Sequence, residues 1–223
     1  MGATTLDSQY QQFREQLLRA TLPHVAFDGW SARTLALGAA DAGHPAALAA
    51  QAFPGGALEV IQFWSDLDDR RMLDAMAGPE ATGLRFRERM IRAVQTRIAI
   101  NDPWREAVRR TLSFLALPPN APAGARCTYA TVNAIWYAVG DASTDFSYYT
   151  KRATLMPIYA ATVLYWLDDD SEGRAETWRF LERRIDGTMA IPRLQAKARD
   201  TLQRLSSPFA APPWRRRGTG VGG

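Results

Sequence analysis

The stretch that decides the fold runs from Ser31 to Gly56 and reads SARTLALGAADAGHPAALAAQAFPGG. It opens with Ser31, a residue type that caps helices, and apolar residues then recur at helical spacing to Ala42. Gly43-His44-Pro45 predicts a tight turn, and Ala46 to Phe53 predicts a second, shorter helix. The stretch therefore predicts a helix-turn-helix.

This unit, with its Phe-Pro-Gly-Gly run and the long apolar helix after it, resembles the N-terminal helix-turn-helix of TetR-type regulators. In a DNA reader the second helix offers Arg, Lys, Asn or Gln to base edges. Here that helix has only Gln51 and no basic residue, and between Arg33 and Glu59 the only other formal charge is Asp41. Phosphate neutralisation supplies most non-specific DNA affinity. We therefore predict a degenerate unit and no nucleic-acid partner.

Helical periodicity continues through most of the 223 residues, and alternating strand-like runs are missing. We predict an all-α fold, a single TetR-like domain of about nine or ten helices at 1–190 that includes the degenerate helix-turn-helix. An amphipathic helix at 191–206 and a flexible basic tail at 207–223 follow. The predicted helices are Gln9 to Leu22, Ser31 to Ala42, Ala46 to Phe53, Ala57 to Ala77, Thr82 to Ile100, Trp104 to Leu117, Ala125 to Val139, Ser143 to Leu167, Ala175 to Met189 and Arg193 to Leu205.

Composition indicates an ordinary globular protein, with 47% hydrophobic and 22% charged residues and a net charge of +4. Cys127 is the only cysteine, which excludes a disulfide within the chain and any cysteine-rich metal cluster. The longest uncharged stretch, Ala153 to Leu167, is shorter than the ~20 apolar residues that cross a bilayer. With no secretory or transit signal visible, we expect a bacterial cytoplasmic protein.

The residues for common catalytic centres are missing. A di-iron bundle needs inward-facing Glu-x-x-His pairs, but the only histidines, His24 and His44, follow Thr21 and Asp41 by three residues. We expect these histidines to make capping or turn hydrogen bonds, and the run 168–170 of three aspartates to form a solvated helix end. The sequence predicts no catalytic residue, no metal, no cofactor and no enzymatic activity.

The helix Ser143 to Leu167 carries apolar residues on nearly every side, which predicts burial all round. Pro157 bends such a helix, and Ala153, Ala160 and Ala161 leave room beside bulky neighbours. This mixture is compatible with a long apolar pocket. A simply filled core explains it as well, and the residues alone leave both readings open.

The sequences WYAVGD at 136–141, STDF at 143–146, YYTKR at 148–152 and FLERRID at 180–186 resemble the coenzyme Q protein nine family of ubiquinone-biosynthesis accessory proteins. LPHV at 22–25, FDGW at 27–30 and FPGG at 53–56 are also similar to it, so the resemblance covers roughly Phe13 to Ile191. It implies a TetR-like fold that has lost DNA binding, binds a lipid inside, and helps a di-iron hydroxylase reach demethoxyubiquinone in the membrane. The start lacks the targeting extension of mitochondrial members, which favours a bacterial member.

A lipid-binding interior requires apolar helix faces that converge. The predicted ligand is an isoprenoid quinone intermediate or another lipid. The predicted lipid contacts are Trp64, Leu115, Ile135, Tyr149, Leu155, Tyr159, Val163 and Trp178.

Trp136 and Tyr137 are neighbours about 100° apart on a helix, so they cannot share one narrow buried stripe. We predict that one of them is exposed, although burial of both remains an alternative. With Leu117, Pro118 and Asn120 they form the predicted docking patch for the quinone-pathway hydroxylase, as the resemblance implies.

The last helix combines an apolar stripe with basic flanks, which is typical of helices that lie on a membrane surface. The predicted membrane contacts are Ile191, Arg193, Leu194, Lys197, Ala198, Leu202, Arg204 and Leu205. The alternative, that this helix docks on its own domain, stays open.

The sequence thus predicts an accessory protein, peripheral to the bacterial inner membrane, that presents a lipid to a hydroxylase. A ligand-responsive TetR-like transcriptional regulator and a structural adaptor with a filled core are the alternatives. A homodimer is compatible with the sequence.

Overall fold

The structure, a computed structural model, describes residues 2–141 and 146–188, with side chains at 7–141 and 148–188. The described chain consists of helices and short connections, which confirms the all-α prediction. The helices are α1 (Gly2–Asp28), α2 (Ala32–Asp41), α3 (Ala46–Ala52), α4 (Gly56–Ala77), α5 (Phe86–Ala99), α6 (Arg105–Leu115), α7 (Ala121–Ala138), α8 (Phe146–Asp168) and α9 at 175–188. Short 3-10 helices at Pro79–Ala81, Asp102–Trp104 and Glu172–Arg174 lie between them. The predicted helix Arg193 to Leu205 and the tail lie outside the described residues.

The predicted helix-turn-helix is confirmed as α2, a tight turn and α3. The Ser31 hydroxyl accepts a hydrogen bond of 3.1 Å from the Thr34 amide and caps α2. At the other end Gly43 has φ +75°, and the amides of Gly43 and His44 donate to carbonyls in the last turn of α2. This arrangement closes a helix at a left-handed glycine.

The first helix is longer than predicted at both ends. We expected it to end before Pro23, but α1 continues through Pro23 to Asp28. Proline removes one backbone hydrogen bond and disfavours a helix interior. Leu22 and Val25 on either side are buried in the core, and the burial of their side chains outweighs that cost.

The long helix α4 takes part in two hydrophobic clusters among the described residues. One cluster joins it to α1, α2, α3 and α6, and the other joins it to α5, α7, α8 and α9. Our prediction that the helix after Ser143 is buried all round is wrong. Tyr149 and Leu164 of α8 are 67% and 58% exposed, because α8 packs on α6, α7 and α9 and leaves its outer side to solvent.

No helix among the described residues has the length and hydropathy to span a bilayer.

Candidate functional site

A cavity of about 260 Å³ lies between α4, α5, α6, α7 and α8. Four of the predicted lipid contacts line it: Trp64 from α4, Leu115 from α6, and Tyr159 and Val163 from α8. Tyr159 and Val163 are four residues apart and therefore lie on one side of α8. Most of the wall is apolar, as expected for a site that binds a hydrocarbon chain or a ring.

The other four predicted contacts lie elsewhere. Ile135 is fully buried in the core, and Leu155 lines a second cavity of about 250 Å³ beside α9. Tyr149 is exposed to solvent. It lies ten positions before Tyr159 on α8, which is about 15 Å along the helix axis from the cavity. Trp178 is half-buried and donates its indole N–H to the Gly173 carbonyl at 2.9 Å. The prediction assumed that the apolar faces carrying all eight residues converge on one pocket.

The floor of the cavity is polar, which the sequence analysis missed. Arg97 of α5 and Asp68 of α4 line the cavity, and both are buried. Arg97 Nε donates to Asp69 Oδ1 at 2.5 Å, and Arg97 Nη1 lies 3.5 Å from Asp68 Oδ2. Thr131 of α7 donates its hydroxyl hydrogen to Asp69 Oδ2 at 3.1 Å. The Arg97 guanidinium therefore pairs with the carboxylates of Asp69 and Asp68 beneath the apolar part of the cavity.

Asn101 completes the floor at the end of α5. Its Nδ2 donates to Asp68 Oδ2 at 2.9 Å. Its Oδ1 is buried and accepts no hydrogen bond from the residues that the structure describes. Asn101 is also one of the residues that line the cavity.

The electrostatics of the floor follow from its burial. Burial raises the pKa of Asp68 above its usual value, although Arg97 and the Asn101 amide oppose the shift. Burial works against the charge of Arg97, but nearby Tyr159 and Asp69 outweigh it and raise its pKa. Burial likewise raises the pKa of the Tyr159 phenol. Arg97 is thus a fixed cation beneath the cavity.

The mouth of the cavity is apolar and open to solvent. Ala160 and Leu164 of α8 line the cavity and are exposed. The loop between α6 and α7 joins two cavity-lining residues, Leu115 and Gly124. This loop contains Leu117, Pro118 and Asn120 of the predicted docking patch. Leu117 and Pro118 are exposed, whereas Asn120 is half-buried and donates its amide to the Phe114 carbonyl at 3.0 Å.

The remaining two docking residues do not join that loop. Tyr137 is 73% exposed, but Trp136 is buried against the Phe86 ring and lines the second cavity. The expectation that the two residues face differently is correct, and burial of both is excluded. Tyr137 lies sixteen residues along α7 from its first residue, Ala121, a distance of about 24 Å. The structure therefore does not bring the five predicted docking residues together, and their role in docking stays a prediction.

The predicted membrane contacts from Ile191 to Leu205 lie outside the described residues.

The outer face of α3 presents Ala46, Ala47, Ala50 and Gln51 to solvent. It carries no cation for DNA phosphates.

The two histidines make contacts within the N-terminal unit. His24 Nε2 lies 2.6 Å from Asp41 Oδ2, which links α1 to the end of α2. The His44 ring packs edge-on against Phe13. Among the described residues no three His, Cys, Asp or Glu side chains are grouped to hold a metal ion.

The aspartate run after α8 is not simply a solvated helix end. Asp168 and Asp170 are exposed, but Asp169 is buried. Its carboxylate accepts hydrogen bonds from the Ser171 amide and from the amide and hydroxyl of Thr177. Burial opposes its charge, but these donors outweigh it and hold the pKa of Asp169 well below its usual value. Asp169 is a structural link between α8 and α9.

Comparison with known proteins gives a consistent result. The COQ9 family model matches residues 121–192. The chain is 32% identical over 87% of its length to the human "Ubiquinone biosynthesis protein COQ9, mitochondrial", and 30% identical over 80% to the Drosophila melanogaster protein of that name. It spans 63% and 56% of those two relatives. A TetR transcriptional regulator from Nitrosomonas europaea superposes with a TM-score of 0.65 at 22% identity, covering 81% of this chain and 98% of the regulator. The predicted TetR-like fold is thereby confirmed.

Proposed function

We propose that the chain is a member of the COQ9 family, as its match to the family model over residues 121–192 and its similarity to the human protein support, and that it is a non-catalytic accessory protein of ubiquinone biosynthesis. In this proposal it binds an isoprenoid quinone intermediate in the cavity and presents the lipid to a membrane-associated hydroxylase. It works at the bacterial inner membrane, and the partner performs the chemistry. The observation that carries the proposal is the apolar cavity with a buried polar floor.

The size of the cavity suits one end of such a lipid. Its volume of about 260 Å³ lies near the lower end of the roughly 300–1,000 Å³ usual for small-molecule sites. A ring and the first part of an isoprenoid tail fill that space. The rest of a long tail extends through the mouth beside Ala160 and Leu164.

The proposed partner contact lies where the lipid leaves. Leu117 and Pro118 are exposed on the loop that joins Leu115 to Gly124 at the mouth. A hydroxylase that binds this loop receives the lipid without exposing the tail to water. The predicted amphipathic segment 191–206, which lies outside the described residues, supplies the membrane contact in this proposal, as its basic amphipathic sequence favours. The alternative of a transcriptional regulator is disfavoured by the uncharged outer face of α3.

The test is mass spectrometry of organic extracts from the purified full chain, beside an empty-vector control. We expect an isoprenoid at about one molecule per chain. Ala160→Trp closes the mouth and removes the lipid, whereas Ala153→Trp, at an exposed position on α8 away from both cavities, retains it. A folded protein without lipid supports the adaptor with a filled core. Salt-sensitive DNA binding supports the regulator.

A further inference from the structure

The floor of the cavity has an acceptor that lacks a donor. Asn101 is 6% exposed, and its Nδ2 is committed to Asp68. Its Oδ1 is buried without a hydrogen-bond donor among the described residues. Buried polar atoms almost always have a partner, and an exception that lines a ligand cavity points to a group on the ligand.

Two donors that line the inner end of the cavity, Arg97 and Thr111, already have acceptors within the protein. Arg97 directs its nitrogens to Asp69, Asp68 and Ser65. The Thr111 hydroxyl donates to the Ala107 carbonyl at 2.7 Å and accepts from the Trp30 indole. Two acceptors lie at the inner end of the cavity, the Asn101 amide oxygen and the Asp68 carboxylate.

We propose that the cavity recognises the head of its lipid through a hydroxyl hydrogen, and that it therefore binds the reduced hydroquinone in preference to the oxidised quinone. This inference rests on the proposed function. A hydroquinone or phenol donates its O–H to Asn101 Oδ1. A quinone has two carbonyl oxygens that only accept, so it leaves Asn101 unpaired and brings a further acceptor towards Asp68.

The test is calorimetric titration of the full chain, freed of lipid and kept without oxygen. Three probes share two isoprene units: the benzoquinone, its hydroquinone, and the dimethyl ether of that hydroquinone. The ether keeps the aromatic ring but has no donor, so it separates hydrogen bonding from ring oxidation. We expect the hydroquinone to bind about tenfold more tightly than either of the others.

Two variants locate the effect. Asn101→Leu has nearly the same volume but no acceptor, and it removes the tenfold preference. Thr128→Val also changes the cavity wall, but its hydroxyl is bonded to the Gly124 carbonyl at 3.0 Å, so the preference remains.

Equal affinity for the three probes overturns the inference and leaves lipid binding intact. Failure to bind any of them overturns the proposed function as well. If Asn101→Leu does not fold, the hydroquinone and its ether decide the question with the unaltered protein.

Discussion

Arg97 Nε donates a hydrogen bond of 2.5 Å to Asp69 Oδ1, and both side chains are buried beneath the cavity. Arg97 also lies 3.5 Å from Asp68. A buried charge is expensive unless it is paired, so removing one member of such a cluster leaves the others uncompensated. Arg71 also lies 3.5 Å from Asp68, so Arg97 is the main cation for Asp69 and one of two for Asp68.

Replacing Arg97 with methionine is expected to lower the free energy of unfolding by about 3–5 kcal/mol, because buried Asp69 loses the cation that it pairs with and Asp68 keeps only Arg71. Urea unfolding measures this loss. The control is Arg92→Met on the same helix, where Arg92 pairs with Glu80 in solvent and the expected cost is about 0–1 kcal/mol. Equal costs for the two variants would show that the buried ion pairs do not stabilise the fold.

Asp169 gives a prediction about pH. Its folded-state pKa is below the ordinary value, so as pH falls below about 4 the unfolded chain takes up the proton first, and stability is lost. Asp169→Asn is expected to cost about 1–3 kcal/mol at pH 7, because hydrogen bonds to a charged acceptor are lost. Its difference from the unaltered protein should shrink below pH 4. Unfolding midpoints at pH 7 and pH 3 check both statements.

The adjacent Asp170 is the control for that experiment. It is exposed, and Asp170→Asn should change stability little at either pH. A loss in Asp169→Asn that stays constant from pH 7 to pH 3 would contradict the assignment of charge to this carboxyl.

The sequence was sufficient for the helices and for the N-terminal unit, because their signals are local. Ser31 as a cap and Gly43 as a left-handed residue act within one turn of the chain. The end of α1 is predicted wrongly at Pro23, because the lost backbone hydrogen bond is a local effect. The burial of Leu22 and Val25 that outweighs it depends on contacts with other helices. Packing between helices that are distant in sequence cannot be recognised from the residues next to Pro23.

The site was predicted in part, since apolar periodicity identifies buried faces but not the gap between them. The polar floor was missed because the run that contains Asp68 and Asp69 resembles a solvated helix face. A signal was present: Asp68 lies on the same side of α4 as Ile61 and Trp64, at helical spacing. Arg97 likewise continues the buried face of Met90 on α5. Charged residues at apolar positions of a helix are candidates for buried sites.

The contact between α1 and α2 is sensitive to a single methyl group. A Cβ at Gly38 would lie 2.1 Å from Thr21 Oγ1 and 2.7 Å from Thr21 Cα. Gly38→Ala should therefore destabilise the protein by roughly 1–3 kcal/mol or more, despite the better helix propensity of alanine. Gly187→Ala is the control, since nothing lies within 4 Å of its Cβ, and it should be neutral or stabilising by up to about 1 kcal/mol. Thermal unfolding of both variants decides the point.

Cys127 is the only cysteine of the chain, and it lines the cavity, so its alkylation reports on occupancy. Burial, with Asp66 and Asp69, raises the pKa of its thiol, and only the thiolate reacts. Iodoacetamide should therefore modify the folded, lipid-free protein more slowly at pH 7.5 than free cysteine, and faster as pH rises. A lipid in the cavity should slow the reaction further.

In a Cys127→Ser background, Ala130→Cys places a thiol on the exposed side of α7, which should react freely with or without lipid. A lipid that binds without protecting Cys127 would occupy another site.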